Sequence, residues 1–320
     1  MDDQKPQESL GPVAYIRKVG RGKTLSRDLG ADEACDAFSQ LLAGRFTPAQ
    51  AGAFLQALRI KELSREELDG MMTALNNQAQ TFPALSAGGL VLNLASDTPR
   101  KGGHASLLAA NLLASKGMPV GVVHSDPMLS GNTDSWDGTM RLIGSFASSL
   151  TIADIYDLIP ALQNLRQIRS ELGFRSCFHT AEKILSPWQN APLVLGISHR
   201  HYAERLAENL QRRGMTGKIV LGNHGTPDLV LHKETEIWEV LPGGEIRMIH
   251  FHPEDLGLYP DSGVYSLGFF PKWKDELVQE GFGVLGPVLS YHTAFLRYAA
   301  GEVSGLREGF VPWSELSGVT

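Results

Sequence analysis

A loop between an apolar strand and an Ala/Leu-rich helix has the layout that proteins use to hold a phosphate group. It reads NLASDTPRKGGHASLLAANLLASKG, from Asn93 to Gly117. Backbone N–H groups at a helix N-terminus, glycines that admit an anion close to the backbone, and nearby positive charge together bind phosphate. Here Gly102 and Gly103 come late in the loop, directly after Arg100 and Lys101. The pattern leaves open a working phosphate site, a disabled one, or a loop that holds a larger anion.

Two pairs of histidines also have a spacing that suggests chemistry. His199 and His201 are two residues apart, and His250 and His252 repeat that spacing. On a strand, this spacing places both side chains of a pair on one face. No Cys or carboxylate follows at the spacing of a zinc site, so we predict no metal site and no cofactor.

The composition is that of an ordinary globular chain whose charge is unevenly distributed. The 320 residues are 42% hydrophobic and 20% charged, and the net charge of −6 argues mildly against general affinity for nucleic acid. The run from Arg17 to Arg27 nevertheless carries five basic residues and no acidic one. No stretch approaches the roughly 18 apolar residues of a membrane span, and the N-terminus is too polar for a secretory signal. We therefore predict a cytoplasmic protein without a membrane partner.

The elements that position these residues alternate between helical and α/β segments. Apolar residues recur at a helical period from Tyr15 to Asn77, with Thr47 and Ser64 in N-cap positions. Two later segments each read strand, helix, strand, which predicts parallel strands joined by right-handed crossovers. A β-hairpin is predicted further on, with its turn at 242–244.

These elements predict an α/β protein with two discontinuous domains. A small N-terminal helical domain comprises residues 14–80 and 137–186, and residues 1–13 form a disordered tail. A large domain, residues 86–136 and 190–320, has a mostly parallel central sheet flanked by helices. In open α/β sheets, ligands bind in the crevice beyond the carboxyl ends of the strands. We therefore expect the ligand site in the cleft between the two domains.

Three segments, in the same order, resemble the anthranilate phosphoribosyltransferases and the related pyrimidine nucleoside phosphorylases. They are GRFTPAQAGAFLQALRIKELSREELDGMMTAL at 44–75, IRSELGFRSCFHTAEKILSP at 168–187 and GISHRHYAERLAENLQRRGMTGKIVLGNHG at 196–225. The resemblance covers roughly Tyr15 to Phe310. It implies the nucleoside phosphorylase/phosphoribosyltransferase fold.

Several positions that carry chemistry in that family differ here. The resemblance places the glycine-rich pyrophosphate loop on Leu94–Thr98, where no glycine remains, so the backbone cannot approach a pyrophosphate as closely. The metal-holding acidic pair falls on Val230 and Leu231, which cannot ligate a hard cation, and Asp228 lies close but out of place. We therefore interpret the loop as a degenerate phosphate loop and predict no catalytic residue. The polar residues assigned to this degenerate loop are Ser96, Asp97 and Ser106, of which only Ser106 keeps the residue type of the family.

One branch of the family resembles this chain in its departures as well. The shared segments are GRGKTLSRDL at 20–29, GFRSCFHTAEKILSP at 173–187 and SHRHY at 198–202. Characterised members of the branch are described as homodimeric nucleic-acid-binding proteins without detected transferase activity. The resemblance implies non-specific binding of single- or double-stranded nucleic acid, and a homodimer formed through the N-terminal helices.

We predict that basic side chains line a groove between the domains and contact the phosphate backbone. For Arg169 and Arg175, a structural role that joins the two domains is the alternative. The predicted nucleic-acid-binding residues are Arg21, Lys23, Arg100, Lys101, His104, Arg166, Arg169, Arg175 and Lys183.

Two other functions stay open. One is a glycosyl or phosphoribosyl transferase with an altered, unidentified substrate, favoured by the intact family pattern around Arg169. The missing glycines and acidic pair argue against it, as does the absence of the lysine that the family carries after the next strand, because all of them serve the same leaving group. The other is a module that binds a small molecule or a protein on the same scaffold.

Overall fold

The computed structural model describes residues 10–22, 24–80, 82–96, 104–125, 139, 143–259 and 285–316. The chain divides into two units. The helical unit comprises Met1–Thr81 and Ile155–Leu185, and the α/β unit comprises Phe82–Asp154 and Ser186–Thr320.

Twelve α-helices are assigned within the described residues. None of them is both long and apolar enough to cross a membrane. In chain order they are α1 (Pro12–Val19), α2 (Ala31–Leu42), α3 (Pro48–Lys61), α4 (Arg65–Asn76), α5 (Ala105–Ser115), α6 (Ile155–Leu158), α7 (Gln163–Leu172), α8 (Phe178–Lys183), α9 (His201–Arg212), α10 (Gly286–Ala299), α11 (Leu306–Gly309) and α12 (Trp313–Leu316).

The helical unit is held by predicted caps and an aromatic core. The Thr47 hydroxyl accepts the backbone N–H of Gln50 at 3.3 Å, and the Ser64 hydroxyl accepts that of Glu67 at 3.1 Å, so both predicted N-caps are confirmed. Phe38 forms edge-to-face pairs with Phe54 and Phe178, at centroid distances of 5.6 and 5.9 Å. These pairs join α2, α3 and α8 in one core.

The α/β unit is built on a seven-stranded sheet in the order β3-β2-β1-β4-β5-β6-β7. Neighbours from β3 to β5 pair in parallel, and β6 and β7 are antiparallel, which confirms the predicted mostly parallel sheet and the hairpin. The strands are β1 (Leu90–Asn93), β2 (Val120–His124), β3 (Leu150–Asp154), β4 (Leu193–Gly196), β5 (Gly217–Val220), β6 (Thr235–Val240) and β7 (Ile246–Phe251).

The sheet corrects the predicted start of the second helical segment. We predicted helical structure from residue 137, whereas Leu150–Asp154 pairs with β2 as the edge strand of the sheet, and the helical unit resumes only at Ile155. The backbone ladder with β2 decides this conformation, since five residues are too few to show a clear period. At the N-terminus, α1 already begins at Pro12, inside the predicted tail; residues 1–9 lie outside the described part.

The strand order reverses between β1 and β4. The chain runs outward from β1 through β2 to β3, and then returns to add β4 on the other side of β1. Such a reversal is the topological switch point at which open α/β sheets bind ligands. The residues that follow β1 and β4 are therefore the first candidates for a site.

Candidate functional site

Polar side chains meet at the carboxyl edge of the parallel strands. Ser96 follows β1, and its backbone N–H donates to the hydroxyl of Ser125, after β2, at 2.8 Å; this hydroxyl in turn donates to the Ser96 carbonyl at 3.1 Å. On the next pair of strands, His124 Nδ1 lies 3.7 Å from Asp154 Oδ2. The ends of three neighbouring strands thus carry hydroxyl, imidazole and carboxylate groups.

Asp228 joins the segment after β5 to the N-terminus of α5. Its Oδ1 accepts the backbone N–H of Ser106 at 2.8 Å, and its Oδ2 accepts the Thr226 hydroxyl at 2.8 Å. Ser106 is the second residue of α5, so the carboxylate lies at the positive end of the helix dipole. Asp228 is only 4% exposed. The helix terminus that a phosphate loop would present to a ligand is already contacted by a carboxylate of the chain itself.

Two glycines let this segment fold close to the sheet. A Cβ on Gly196, the last residue of β4, would lie 1.9 Å from the Thr226 carbonyl carbon. A Cβ on Gly222 would lie 2.2 Å from the Thr226 carbonyl oxygen. Both contacts are far shorter than van der Waals distance, so a side chain at either position would move Thr226 and, with it, Asp228.

His292 on α10 supports the same segment in its neutral form. Its Nε2 accepts the backbone N–H of Leu229 at 2.9 Å, which assigns the proton to Nδ1, the atom that lies 2.7 Å from the Val288 carbonyl oxygen. Burial lowers the pKa of His292, and the nearby Asp228 carboxylate opposes this only in part. The separation of 3.9 Å between His292 Nε2 and Asp228 Oδ1 is therefore not an ion pair.

The carboxylate of this site was misjudged from the sequence. Val230 and Leu231 are 3% and 2% exposed and belong to the apolar core, as their types predict, whereas Asp228, considered out of place, contacts α5. The described residues here do not fit a Mg²⁺ site, because Asp228 is the one carboxylate among them and both of its oxygens accept hydrogen bonds. Within the described ranges, no three His, Cys, Asp or Glu residues are grouped to hold a metal ion.

The two serines of the predicted phosphate loop are both buried. The Ser106 hydroxyl has no hydrogen-bond partner within the described part of the chain, while its backbone N–H is taken by Asp228. The backbone N–H and the carbonyl of Ser96 are both hydrogen-bonded to the Ser125 hydroxyl. Asp97, Arg100 and Lys101 lie outside the described residues.

In the helical unit, Arg169 forms a buried ion pair with Glu182 of the same unit, and the alternative role of joining the two domains stays a prediction. It is 2% exposed, its Nη2 donates to Glu182 Oε2 at 3.0 Å, and its Nη1 donates to the other carboxylate oxygen. Its guanidinium also lies 5.0 Å from the centroid of the Phe178 ring. Lys183 is buried as well. Neither side chain presents its charge to solvent, which corrects the prediction that both line a groove.

The other predicted contacts in the described ranges differ in their exposure. Arg166 is half-buried over the ring of Tyr156, 4.8 Å from its centroid, and Arg175 is half-buried. His104 is buried in the N-cap position of α5, where its backbone N–H donates to the Thr139 hydroxyl at 3.1 Å. Burial therefore argues against His104 as a surface contact, and Arg166 and Arg175 stay predictions.

A concave basic surface lies on α1 and the loop after it. It encloses about 640 Å³ and is lined by Arg17, Lys18, Arg21, Arg27 and by apolar residues that include Val13 and Leu25. No acidic residue is among its described lining residues, although Lys18 pairs with Glu33 beside it. This basic surface contains Arg21, which was predicted, and Arg17 and Arg27, which only the charge run indicated. Lys23 lies outside the described residues.

The two histidine pairs occupy different kinds of structure. His199 lies in the segment after β4, and His201 begins α9, so the strand spacing does not apply to this pair. His250 lies on β7 and His252 directly follows that strand. His250 and His252 lie 3.6 to 3.8 Å from surrounding carboxylates, those of Glu234, Glu236 and Glu254.

Family models match both units of the chain. The helical bundle domain of a glycosyl transferase family matches residues 13–79, and the α/β domain of that family matches residues 150–266. The two matches together cover more than half of the chain, which therefore belongs to this glycosyl transferase family.

Curated relatives cover most of the chain. The anthranilate phosphoribosyltransferase of Corynebacterium glutamicum is 25% identical over 304 residues, which span 87% of this chain and 84% of that protein. An uncharacterized protein of Aquifex aeolicus is 27% identical over 310 residues, spanning 92% and 95%. The anthranilate phosphoribosyltransferase of Rhodopseudomonas palustris strain HaA2 is 28% identical over 258 residues, spanning 77% and 74%.

Solved structures share the fold. The anthranilate phosphoribosyltransferase of Thermus thermophilus superposes with a TM-score of 0.73 at 22% identity and covers 94% of both chains. The enzyme of Saccharomyces cerevisiae in complex with PRPP and Mg superposes with a TM-score of 0.71 at 16% identity, covering 95% of this chain and 93% of that one. At these identities the likeness establishes the fold, as predicted for a small helical domain and a large α/β domain.

Proposed function

We propose that this protein binds nucleic acid without sequence specificity through the basic surface of its helical unit. Arg17, Arg21 and Arg27 are exposed there, and within the described ranges none of their guanidinium groups pairs with a carboxylate. Lys and Arg side chains bind phosphate oxygens regardless of base sequence. The observation that carries the proposal is one concave surface with four basic lining residues and no described acidic one.

The distribution of the other cations supports this choice of surface. Buried basic groups are neutralised inside the fold, as Arg169 is by Glu182 and Lys218 by Glu239 at 2.6 Å. Those charges are not available to a ligand in this conformation. Since the whole chain has a net charge of −6, attraction of a polyanion requires a local excess of positive charge. The basic surface provides such an excess.

The apolar residues of the basic surface suit the less polar parts of a nucleotide. Val13 is 47% exposed and Leu25 is 65% exposed, and both line the same concavity as the arginines. Sugars and base edges offer apolar area next to each phosphate, so aliphatic contacts beside phosphate contacts fit a nucleic acid better than a small inorganic anion. These contacts carry no base specificity, in keeping with non-specific binding.

Fluorescence anisotropy across a salt series tests the proposal. Labelled single-stranded and duplex oligonucleotides are titrated with the full chain and with the double variant Arg17→Ala/Arg21→Ala. We expect affinity that falls steeply with salt. The variant should reduce the slope of log K against log salt by about 0.7 per lost contact on a single strand, or about 0.9 on a duplex.

A matched double variant distinguishes the effect of the basic surface from the effect of total charge. Arg45→Ala/Arg65→Ala removes the same charge from exposed positions of the helical unit outside the basic surface. It should leave the salt slope unchanged. Absence of binding at low salt for the unmodified chain would refute the proposed function, and equal losses for both double variants would refute this surface as its location.

A second candidate is a glycosyl or phosphoribosyl transferase with an altered substrate. The names of the Corynebacterium and Rhodopseudomonas relatives favour it, as do the polar groups of Ser96, Ser125 and Asp228 at the carboxyl edge of the sheet. The position of Asp228 argues against it, because Asp228 already contacts the N-terminus of α5. Calorimetric titration with phosphoribosyl pyrophosphate, followed by a product assay with anthranilate, tests this candidate.

The homodimer, the groove between the domains and the cytoplasmic location stay predictions. Light scattering on the eluting protein measures the oligomeric state directly. A dimer with duplicated basic surfaces would bind a long oligonucleotide much more tightly than a short one, because the second contact becomes intramolecular.

A further inference from the structure

Three aromatic or imidazole rings stand together directly after β4. The rings of His199 and His201 are stacked, with centroids 5.8 Å apart and planes inclined by 27°. The ring of Tyr202 continues the group, 4.1 Å from that of His201. His199 and His201 are exposed, and Tyr202 is half-buried. We call these three residues the ring ladder.

The ring ladder lies at the place where the topology predicts a ligand. It follows the carboxyl end of β4, the strand that pairs with β1 at the reversal of strand order. Open α/β sheets bind ligands in this crevice. The core of the α/β unit does not need these rings, because the buried residues of the segment are its neighbours Ile197 and Ala203.

The segment of the ring ladder also carries a cation. Arg200 lies between the two histidines in sequence, and its side chain is 66% exposed. Its Nη2 contacts Glu236 Oε2, while the other oxygen of Glu236 accepts the indole N–H of Trp238 at 2.8 Å. Glu236 is itself buried, so it anchors one end of a guanidinium that has five N–H donors. The remaining donors belong to a side chain that is mostly exposed to solvent.

We propose that the ring ladder is a stacking site for the bases of single-stranded nucleic acid, with Arg200 contacting the adjacent phosphate. This proposal rests on the proposed function. It adds that the nucleic acid is bound as a single strand and that the α/β unit provides a second contact surface. Single-strand binding proteins combine ring faces, on which successive bases stack, with cations that follow the backbone. A duplex would not use this site, since its bases are already stacked and paired.

The arrangement favours a base over a metal ion or an acidic peptide. The ring ladder holds two imidazoles without a carboxylate at ligand distance, and no metal-holding group is found within the described part of the chain. An acidic peptide would engage Arg200 but leave the ring faces unused. A base with its phosphate uses both features at once.

Ring removal tests the site by anisotropy, with a labelled oligothymidylate and a labelled duplex of equal length. His199→Ala/His201→Ala should weaken single-strand binding about tenfold, leave duplex binding unchanged and leave the salt slope unchanged. His199→Phe/His201→Phe keeps two ring faces and should restore most of the affinity.

Two other histidines of the same unit supply the matched control. His232→Ala/His252→Ala removes two imidazoles outside the ring ladder; His232 is exposed, and His252 lies near Glu234 and Glu254. It should not change either affinity. Thermal unfolding of each variant verifies that the α/β unit is intact.

The outcomes separate this inference from the function on which it rests. If the unmodified chain binds neither oligonucleotide, the proposed function fails. If it binds both and His199→Ala/His201→Ala binds the single strand as tightly as the unmodified chain, only the ring ladder is overturned. An equal loss on single strand and duplex would also overturn it, because a stacking site must distinguish the two.

Discussion

The carboxylate of Asp228 accepts the backbone N–H of Ser106 at 2.8 Å, and thereby places a negative charge at the N-terminus of α5. A helix N-terminus attracts anions because its first N–H groups have no partner within the helix. In this chain a residue 122 positions further along supplies the anion. The α5 terminus is therefore satisfied without a ligand, although the Ser106 hydroxyl next to it has no partner among the described residues.

Asp228→Ala should destabilise the α/β unit by about 2 to 3 kcal/mol. The substitution removes the acceptor of Ser106 and Thr226 and the charge at the helix dipole, each of which contributes of order 1 kcal/mol. Asp228→Asn keeps one carbonyl oxygen for the Ser106 N–H and should cost about half as much. Urea unfolding monitored by circular dichroism measures both differences.

Phosphate should stabilise Asp228→Ala more than the unmodified chain. Once the carboxylate is gone, an external anion can occupy the vacated N–H at the α5 terminus, and binding to the folded state raises its stability. The measurement is the melting temperature with inorganic phosphate against chloride at equal ionic strength. Equal shifts for both proteins would contradict the idea that Asp228 closes an anion site.

Arg169 and Glu182 form a buried ion pair whose partners depend on each other. Arg169→Met or Glu182→Met alone should cost about 3 to 5 kcal/mol, because each leaves one charge of the pair buried without its partner in the helical unit. The double variant Arg169→Met/Glu182→Met should be closer to the unmodified chain than either single variant. A double-mutant cycle from denaturation midpoints measures the coupling.

An exposed pair provides the comparison. Asp255→Asn breaks the contact of Asp255 with Arg307 at 3.6 Å, where the two side chains are 58% and 78% exposed. Surface pairs contribute about 0 to 1 kcal/mol, so this variant should unfold almost as the unmodified chain does. A comparable loss at both pairs would mean that burial is not what makes the Arg169–Glu182 pair strong.

Much of the fold was predictable because its signals are local. A helical period with Thr47 and Ser64 as caps identifies α3 and α4, and the strand-helix-strand pattern identifies the parallel sheet. Leu150–Asp154 was missed because its conformation depends on pairing with β2, which lies earlier in the chain and leaves little trace in five residues.

The site was less predictable because its contacts are distant in sequence. Asp228 reaches α5 only because Gly196 lets Thr226 pass close to β4, a contact that no spacing rule reveals. The role of Arg169 depended on Glu182, thirteen residues later and on another helix. A signal was nevertheless present, since the glycines around the Thr-Pro-Asp segment indicate a tight backbone approach.

The two cysteines should react with thiol reagents at very different rates. Burial raises the pKa of Cys177 to about 12, although the nearby Arg169 acts to lower it. At pH 8 only about one Cys177 thiol in 10⁴ is then the reactive thiolate. Cys35 is half-buried, and its pKa is also raised, mainly by burial. In the folded protein we expect only Cys35 to be labelled, and slowly. After unfolding, both thiols should be labelled.

Cys35→Ser decides which thiol is labelled. The folded Cys35→Ser variant should not be labelled by a disulfide reagent until denaturant is added. If Cys35→Ser reacts as readily as the unmodified chain, Cys177 is accessible and the burial assigned to it is wrong.

Glu239 on β6 is the centre of a buried network that joins three strands to α10. Its side chain is fully buried; one oxygen lies 2.6 Å from Lys218 Nζ, and the other accepts from Arg247 Nε at 2.6 Å. The Tyr298 hydroxyl donates to it at 2.6 Å. Burial acts to raise the pKa of Glu239, but the bonds from Lys218, Tyr298 and Arg247 outweigh it, so the net pKa is lowered.

This network should make the α/β unit sensitive to acid. A carboxylate whose pKa is lower in the folded state contributes stability above its unfolded pKa, and this stability is lost as the pH falls through the folded value. For Glu239 the loss therefore begins near pH 4.5, the ordinary value for glutamate, and continues below it. The free energy of unfolding between about pH 7 and pH 3 measures the effect.

Glu239→Gln isolates this contribution from that of the other carboxylates. It should be less stable by about 3 to 5 kcal/mol at pH 7, because Lys218 is left buried without its counter-charge. Its stability should then fall less steeply below pH 4.5, since the titrating group is absent. If the free energies of unfolding of the two proteins fall in parallel over the acidic range, the bonds to Glu239 do not favour its ionised form. If the free energy of Glu239→Gln falls more steeply, the folded state does not lower the pKa of Glu239.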